Sequence, residues 1–544
     1  MRFVMHRQAN HKEGRPMLIR KTILTAMAAI TLAGTAAACG STEPKEPPSG
    51  GTGSSPTASP DSGKDKTYKI TMYNLATFNP NAPVLPREQD PVRQMIEKAM
   101  NIDLEMMIVP EQASAKLNTL IASGEVPDLI YFGNRTTSVK YYEQGVTAEL
   151  DDYLKNAPAL VQHFGPSRWE PMRYKGKTIG IPGTEGVAGI NGLWIRNDWL
   201  NSLNLKVPTT PEELFEVMKA FTFNDPDRNG KNDTYGFAPG ITKEGTLANL
   251  GWDQMFWMFG VNPGNFDVVD NKLVSHNLDP RMKEAVAYAN KLLSEKVVDP
   301  DWVTLNTVPQ VQDKLFKGRS GVVVTDWRSM EPGAQQKMKE TIGEVPDWIV
   351  IPPMKGPHGD QINSYDVFQN AQWAVSKKAA GDPGKVQRIV DLLQYMYTDK
   401  EAYKTIVYGI KDVTWKETNG KPEMIALDSV QSKNYEWLGH YRFPRRANDD
   451  IYFNFKNPKT VEYHAINRKY LKPNNVMPYI VLDPNDVLAQ DREKYWNEML
   501  LKFMTGKEPL AKWEEFVGTL NAKFKAGEQL EKVTRQLKEQ GIIR

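Results

Sequence analysis

An α/β fold of two lobes joined by several crossings of the chain is what the sequence predicts, and three stretches carry that prediction. Between Tyr68 and Phe132, strand-like and helix-like patterns alternate. Tyr174–Leu214 reads as strand, glycine-rich crossing, second strand and helices. Further on, Val322–Val324 is another buried run, and Gln372–Ser376 (QWAVS) is a strand returning to the first lobe. Alternation of this kind builds a largely parallel sheet covered by helices, and 544 residues are enough for two.

The N-terminus has the parts of a secretory leader: Arg20 and Lys21, an apolar run over Ile23–Leu32 that is too short to span a bilayer, and small residues up to Ala38. Residues 1–16 are polar and basic and fit no leader, so translation is expected to start at Met17, with a signal peptide ending at residue 38. Cys39, the sole cysteine, follows three alanines and precedes Gly40. With one cysteine, neither a disulfide framework nor a thiolate metal cluster forms within a monomer. Residues 39–66 are rich in Ser, Thr, Pro and Gly and suit a disordered tether. Lys+Arg 68 against Asp+Glu 66 leaves a net charge of +2, which gives no reason to expect a nucleic-acid partner.

The first lobe begins near residue 67. Lys69–Leu75 is strand-like; Asp90 and Pro91 open a helix with Val92, Met95, Ile96 and Ala99 on one face; Ile102, Leu104, Met106 and Ile108 alternate as the next strand. A helix on Ala113, Leu117, Leu120 and Ile121 precedes a strand over Val126–Phe132, whose carboxyl end, Phe132–Arg135, is where such a sheet binds ligands. Phe132 equally suits capping the sheet. Tyr174–Lys177 signals a hairpin, and Gly183, Gly186, Gly189 and Gly192 let the backbone take positive φ as it crosses. Thr210 is expected as N-cap, Pro211 as the first helical residue and Glu213 as the carboxylate reaching back.

Asn224–Gly236 (NDPDRNGKNDTYG) spaces Asp225, Asp227, Asn229 and Asp233 as an EF-hand-like loop does, with the Lys231 carbonyl as a further oxygen ligand. Its twelfth position is Gly236 in place of a bidentate Glu, and a hydrophilic turn has the same composition. LGWDQMFWMF (Leu250–Phe259) carries aromatics all round, so most are core, leaving one or two for the cleft. Thr325, Asp326, Trp327 and Arg328 end the run Val322–Val324: an indole face suits a sugar's C–H surface while the charged groups take hydroxyls. The other reading of Trp327 is a ring closing its own lobe. Tyr435, Trp437, His440, Tyr441 and Arg442 either reach the cleft or pack the lobes, and charged amphipathic helices follow Asp483. The expected division is 67–182 and 372–433 for the first lobe, 183–371 for the second, and 434–544 for a helical segment mainly on the second.

Tyr174–Pro182 followed by GLWIRNDWL and KVPTTPEEL, SGEVPDLIY before Phe132, and YGIKDVTW (Tyr408–Trp415) resemble the extracellular solute-binding lipoproteins of sugar-type ABC importers, the oligosaccharide- and alginate-binding subgroup included. The resemblance runs from Tyr68 to the C-terminal helices. It implies a type II periplasmic-binding-protein-like (Venus-flytrap) fold with hinge crossings and extra C-terminal helices. Cys39 would carry the lipid, although Ala36 stands where the family usually has Leu, and would anchor a monomer on the extracellular face of a bacterial cell membrane. The implied ligand is an oligosaccharide and the implied partner an ABC permease. Candidate ligand contacts are Phe132, Asn134, Arg135, Glu185, Trp252, Trp257, Asp326, Trp327, Arg328 and Trp437; Asp225, Asp227, Asn229, Lys231 and Asp233 would hold a structural calcium, although Thr234 stands where relatives have a carboxylate.

No catalytic residue or catalytic cofactor is expected, since GxSxG, HExxH and P-loop motifs are missing. A glycosidase needs only two opposed carboxylates, which keeps a lipid-anchored carbohydrate hydrolase as the rival reading. A sugar-sensing lipoprotein without a transport role is the third.

Overall fold

Two sheets organise the computed structural model, one in each lobe. The structure describes residues 66–544 apart from 78, 184–190, 248–249, 366–370, 426, 428, 445–446, 455, 474–475 and 484–485. Cys39, the tether and Glu185 therefore lie outside the described residues. Among those described, no helix is long and apolar enough to cross a membrane.

In the first lobe the strand order is Ile102–Ile108, Tyr68–Asn74, Leu129–Phe132, Gln372–Val375, Ile181–Pro182. The first three run parallel, and Gln372–Val375 is antiparallel to both its neighbours. The helix Pro91–Met100 starts where Asp90 accepts the Arg93 N–H at 2.9 Å, buries Val92 and Ile96, and stops at Asn101 with φ 47°. In the hairpin that pairs Arg173 with Thr178, Lys175 and Gly176 both have positive φ, as a two-residue turn of matching twist requires.

The second sheet is ordered Trp348–Ile351, Gly192–Arg196, Ser320–Thr325, Tyr235–Phe237. Gly192–Arg196 and Ser320–Thr325 are buried on both faces, which explains their unbroken apolar runs. Leu193, Ile195, Val322 and Val324 face a large core with Phe221, Phe237, Trp252, Trp496 and Phe516, whereas Trp194, Val323, Trp348 and Val350 face Tyr463. The helices Ala489–Met504 and Trp513–Ala522 supply part of that larger core, while Ala526–Glu539 buries Val533 and Leu537 in a separate cluster with Leu273, Val476 and Tyr479.

Packing moves one expected boundary. Trp437, Leu438, Tyr441 and Phe443 join the first lobe's core, and Ile451 packs with Tyr403, Tyr408 and Trp415. The helix Pro458–Lys469 lies on the second sheet, so the chain leaves the first lobe between Phe443 and Tyr463, later than residue 434. Trp437 belongs to the first lobe because it is 4% exposed and buried in that lobe's apolar core with Leu438, Tyr441 and Phe443.

Candidate functional site

The structure places several predicted residues at or just past strand ends and holds others inside the lobes. Phe132 ends its strand but is 3% exposed and stacked on Tyr141 at 5.2 Å, so its ring caps the first lobe's core. Asn134 is exposed and caps the helix Arg135–Glu143, accepting the Thr137 N–H at 2.8 Å. Arg135 is buried. Its guanidinium donates to the carbonyls of Pro171 and Arg173, both at 2.8 Å, and lies 5.0 Å from the Tyr479 ring; burial pushes its pKa down. It acts as a strut between the first lobe and the segment around Tyr479 and is not presented to a ligand.

In the second lobe Asp326 caps the turn Trp327–Met330, accepting the Arg328 N–H at 2.8 Å and pairing with the Arg328 guanidinium, whose side chain stays exposed. Trp327 is half-buried, with the Lys456 ammonium 4.1 Å over its ring and His464 beside it. Trp252 is fully buried between Phe237 and Trp302 at 5.6 and 5.4 Å, and Trp437 is in the first lobe's core: both correct the expectation of cleft rings, because apolar neighbours surround them.

A cavity of about 690 Å³ lies in the second lobe, within the usual size of a small-molecule site. Trp257 is the one predicted residue in its described lining. Among the residues the sequence does not single out are the amides of Asn191, Gln254 and Asn363 and the rings of Phe266, Tyr365 and Trp496. Asn191 and Asn363–Tyr365 flank two of the crossings. Gln254 Nε2 donates to the carbonyl and Oδ1 of Asn363 at 2.6 and 2.7 Å, and Asn363 Nδ2 donates to Asn467 Oδ1 at 2.5 Å. This buried amide chain joins the cavity wall to the helix that follows the third crossing.

A second network braces the wall. His276 Nδ1 accepts the Asn262 N–H at 2.9 Å, which leaves Nε2 to donate to Asp267 at 3.1 Å; Tyr365 and Lys472 donate to the same carboxylate. Burial works against the charge, but the hydrogen bonds from His276, Lys472 and Tyr365 outweigh it and hold the Asp267 carboxyl well below the usual range. The Tyr365 hydroxyl is pushed up by burial and by Asp267. Trp257 packs edge-on against Tyr365 at 4.8 Å, so this network fixes the ring at the cavity wall.

Residues 85–403, more than half of the chain, match the family described as bacterial extracellular solute-binding protein. The chain belongs to that family. This solute-binding protein is 27% identical over 370 residues to the lipoprotein LipO of Bacillus subtilis (strain 168), covering 67% of this chain and 71% of that one. It is 26% identical over 349 residues to the polygalacturonan/rhamnogalacturonan-binding protein YtcQ of the same organism, covering 63% and 66%. The alginate-binding protein AlgQ2, solved without calcium ion, shares the fold at 18% identity with a TM-score of 0.60 over 88% of this chain and 98% of that one.

The binding protein's acidic loop is wound around Asn229. Asp227 and Asp233 accept from Asn229 Nδ2 at 2.9 and 3.1 Å, and Asp225 accepts the N–H groups of Asn229 and Gly230, both at 3.0 Å. Burial and the contact with Asp225 push the Asp227 carboxyl up; the Asp225 carboxyl is held down by the Gly230 N–H and its other donors despite some desolvation. Among the described residues no three His, Cys, Asp or Glu side chains are gathered closely enough to hold a metal ion. The loop's oxygen donors fit a hard cation in kind, but here they close on an amide instead.

Proposed function

We propose that this solute-binding protein captures an oligosaccharide at the junction of its lobes and hands it unchanged to an ABC permease, held outside a bacterial membrane by acyl chains on Cys39. The observation that carries this reading is the second-lobe cavity, walled by amides and rings and bordered by the residues that flank two crossings. Rings pack against sugar C–H faces and amides pair with hydroxyls. The names of its relatives, a lipoprotein and a polysaccharide-binding protein, point the same way. Trp257 would stack in the cavity, and Trp327, Asp326, Arg328 and Asn134 would meet the part of the ligand that lies outside it.

A thermal-shift screen against neutral and acidic oligosaccharides, followed by incubation of each hit, tests the proposal. Stabilisation without cleavage is expected. Asp253 and Glu493 both line the cavity, so cleavage of a bound saccharide would replace the receptor reading with the hydrolase. We propose further that the loop Asp225–Asp233 takes a structural calcium by swinging its carboxylates off Asn229. Calcium should then raise the melting temperature, and Asp227→Ala should abolish the rise; a parent protein indifferent to calcium would end that idea.

A further inference from the structure

We infer that Arg442 and Lys456, at the two ends of the third crossing, form beside Trp327 a subsite for a carboxylate, so that the oligosaccharide is an acidic one built from uronates. This rests on the oligosaccharide reading above and names its class. Arg442 follows the short helical turn Glu436–Tyr441 and sits between Tyr441 and Phe443, both in the first lobe's core. Lys456 comes just before the helix Pro458–Lys469 on the second sheet. Its ammonium lies 4.1 Å over the Trp327 ring and 5.8 Å over that of Tyr452.

The half-buried Arg442 guanidinium has no hydrogen-bond or ion-pair partner among the described residues: its Nε is enclosed and unpaired, and its two Nη atoms reach the surface. Arg135, Arg196, Arg281 and Arg492 differ, since all donate to backbone carbonyls or pair with carboxylates. Burial pushes the Arg442 pKa down, opposed by Tyr452, whose hydroxyl is neutral at pH 7. A guanidinium keeps its proton at that pH, so the charge stays. Burial pushes Lys456 down as well; Glu331 opposes this, and Arg442 adds to it as a like charge. The carboxylates at hand are already engaged. Glu331 accepts from Asn457 Nδ2 at 3.0 Å and Thr460 Oγ1 at 2.5 Å, and Asp326 pairs with Arg328. Two desolvated cations acting on each other destabilise the fold, and an anion within reach of both relieves that cost. A carboxylate offers two oxygens to the guanidinium fork, whereas a neutral sugar brings no charge. A uronate laid against Trp327 brings its carboxylate to this pair.

Isothermal titration of the intact protein with trigalacturonate, trimannuronate and triguluronate, each against its methyl ester, and with maltotriose and inorganic phosphate, at low and high salt, tests this. At least one triuronate should bind at least about tenfold tighter than its ester, and the gap should narrow at high salt. Arg442→Gln and Lys456→Gln should each remove most of that gap and leave the melting temperature unchanged or higher, whereas loss of a structural strut would lower it. Binding of acid and ester alike, or of maltotriose more tightly than any triuronate, would overturn the acidic class and leave the receptor reading standing. Phosphate bound as tightly as the triuronate would reduce the pair to a general anion site and overturn the sugar subsite. A preference for acid that survives both substitutions would overturn the assignment of the two residues. Should neither variant fold, the comparison of acid with ester on the parent protein decides the class. Failure of every saccharide to bind would overturn the oligosaccharide reading and this inference with it.

Discussion

Trp327 and Trp252 are the same residue type in two different situations, and a pair of substitutions separates them. Trp327 is half-buried at a strand end, so Trp327→Ala should weaken oligosaccharide binding by about 1–2 kcal/mol with little change in melting temperature. Trp252 is fully buried, so Trp252→Ala should cost about 3–5 kcal/mol of folding stability, read by chemical denaturation. Asp267 makes a different prediction. Its folded pKa is depressed, so its contribution is complete above the ordinary Asp value of about 3.9 and is lost as pH falls through that value toward the folded one. Denaturation midpoints of the parent should fall over this acid range, and those of Asp267→Asn should fall less steeply. The sequence shows which residues are aromatic but not where the rings point. Trp252, Trp257 and Trp437 differ in which neighbours reach them, and Trp302 and Tyr365 arrive from far along the chain. Asn and Gln leave even less trace, since no periodicity marks an amide that lines a cavity.

The strands and helices are more legible than the directions of their side chains, because burial on one face or both imposes a repeat that the order of apolar and polar residues shows. The start of the helix Pro211–Phe223 was read nearly correctly: Thr210 accepts the Glu213 N–H at 3.2 Å, but the Glu213 carboxylate reaches past it to the N–H and hydroxyl of Thr209 at 2.8 and 2.7 Å. Thr210→Ala should therefore cost about 1 kcal/mol, as for other caps. The glycines at the first crossing were recognised for the wrong reason at its two described ends. Gly183 and Gly192 are not in the positive-φ region; they serve close packing. A Cβ on Gly192 would lie 2.6 Å from the Tyr463 ring and 3.2 Å from Asn467 Oδ1. Gly192→Ala should push aside the helix Pro458–Lys469, which carries Tyr463 and Asn467, and change ligand affinity although Gly192 does not itself line the cavity, measured by titration alongside small-angle scattering.

Across the whole molecule, the family match ends at residue 403, yet Arg492, Trp496 and Gln529 line the cavity and Trp513 and Phe516 fill the second lobe's core. Removing residues 489–544 should give an aggregating, unfolded second lobe, visible as loss of the cooperative melting transition, because Trp252 and its neighbours would lose one wall. The two-lobe plan was readable from strand order and glycine spacing. The third crossing lies later than residue 434 because the aromatic and basic cluster Tyr435–Arg442, which by sequence suits either the cleft or the packing of the lobes, puts Trp437 and Tyr441 in the first lobe's core. At the head of the second lobe, Gln254, Asn363 and Asn467 form one run of amides, and Gly192 presses against its far end. A substitution anywhere in this run therefore disturbs the cavity wall and the packing beside the first crossing at once, and neither can be altered alone.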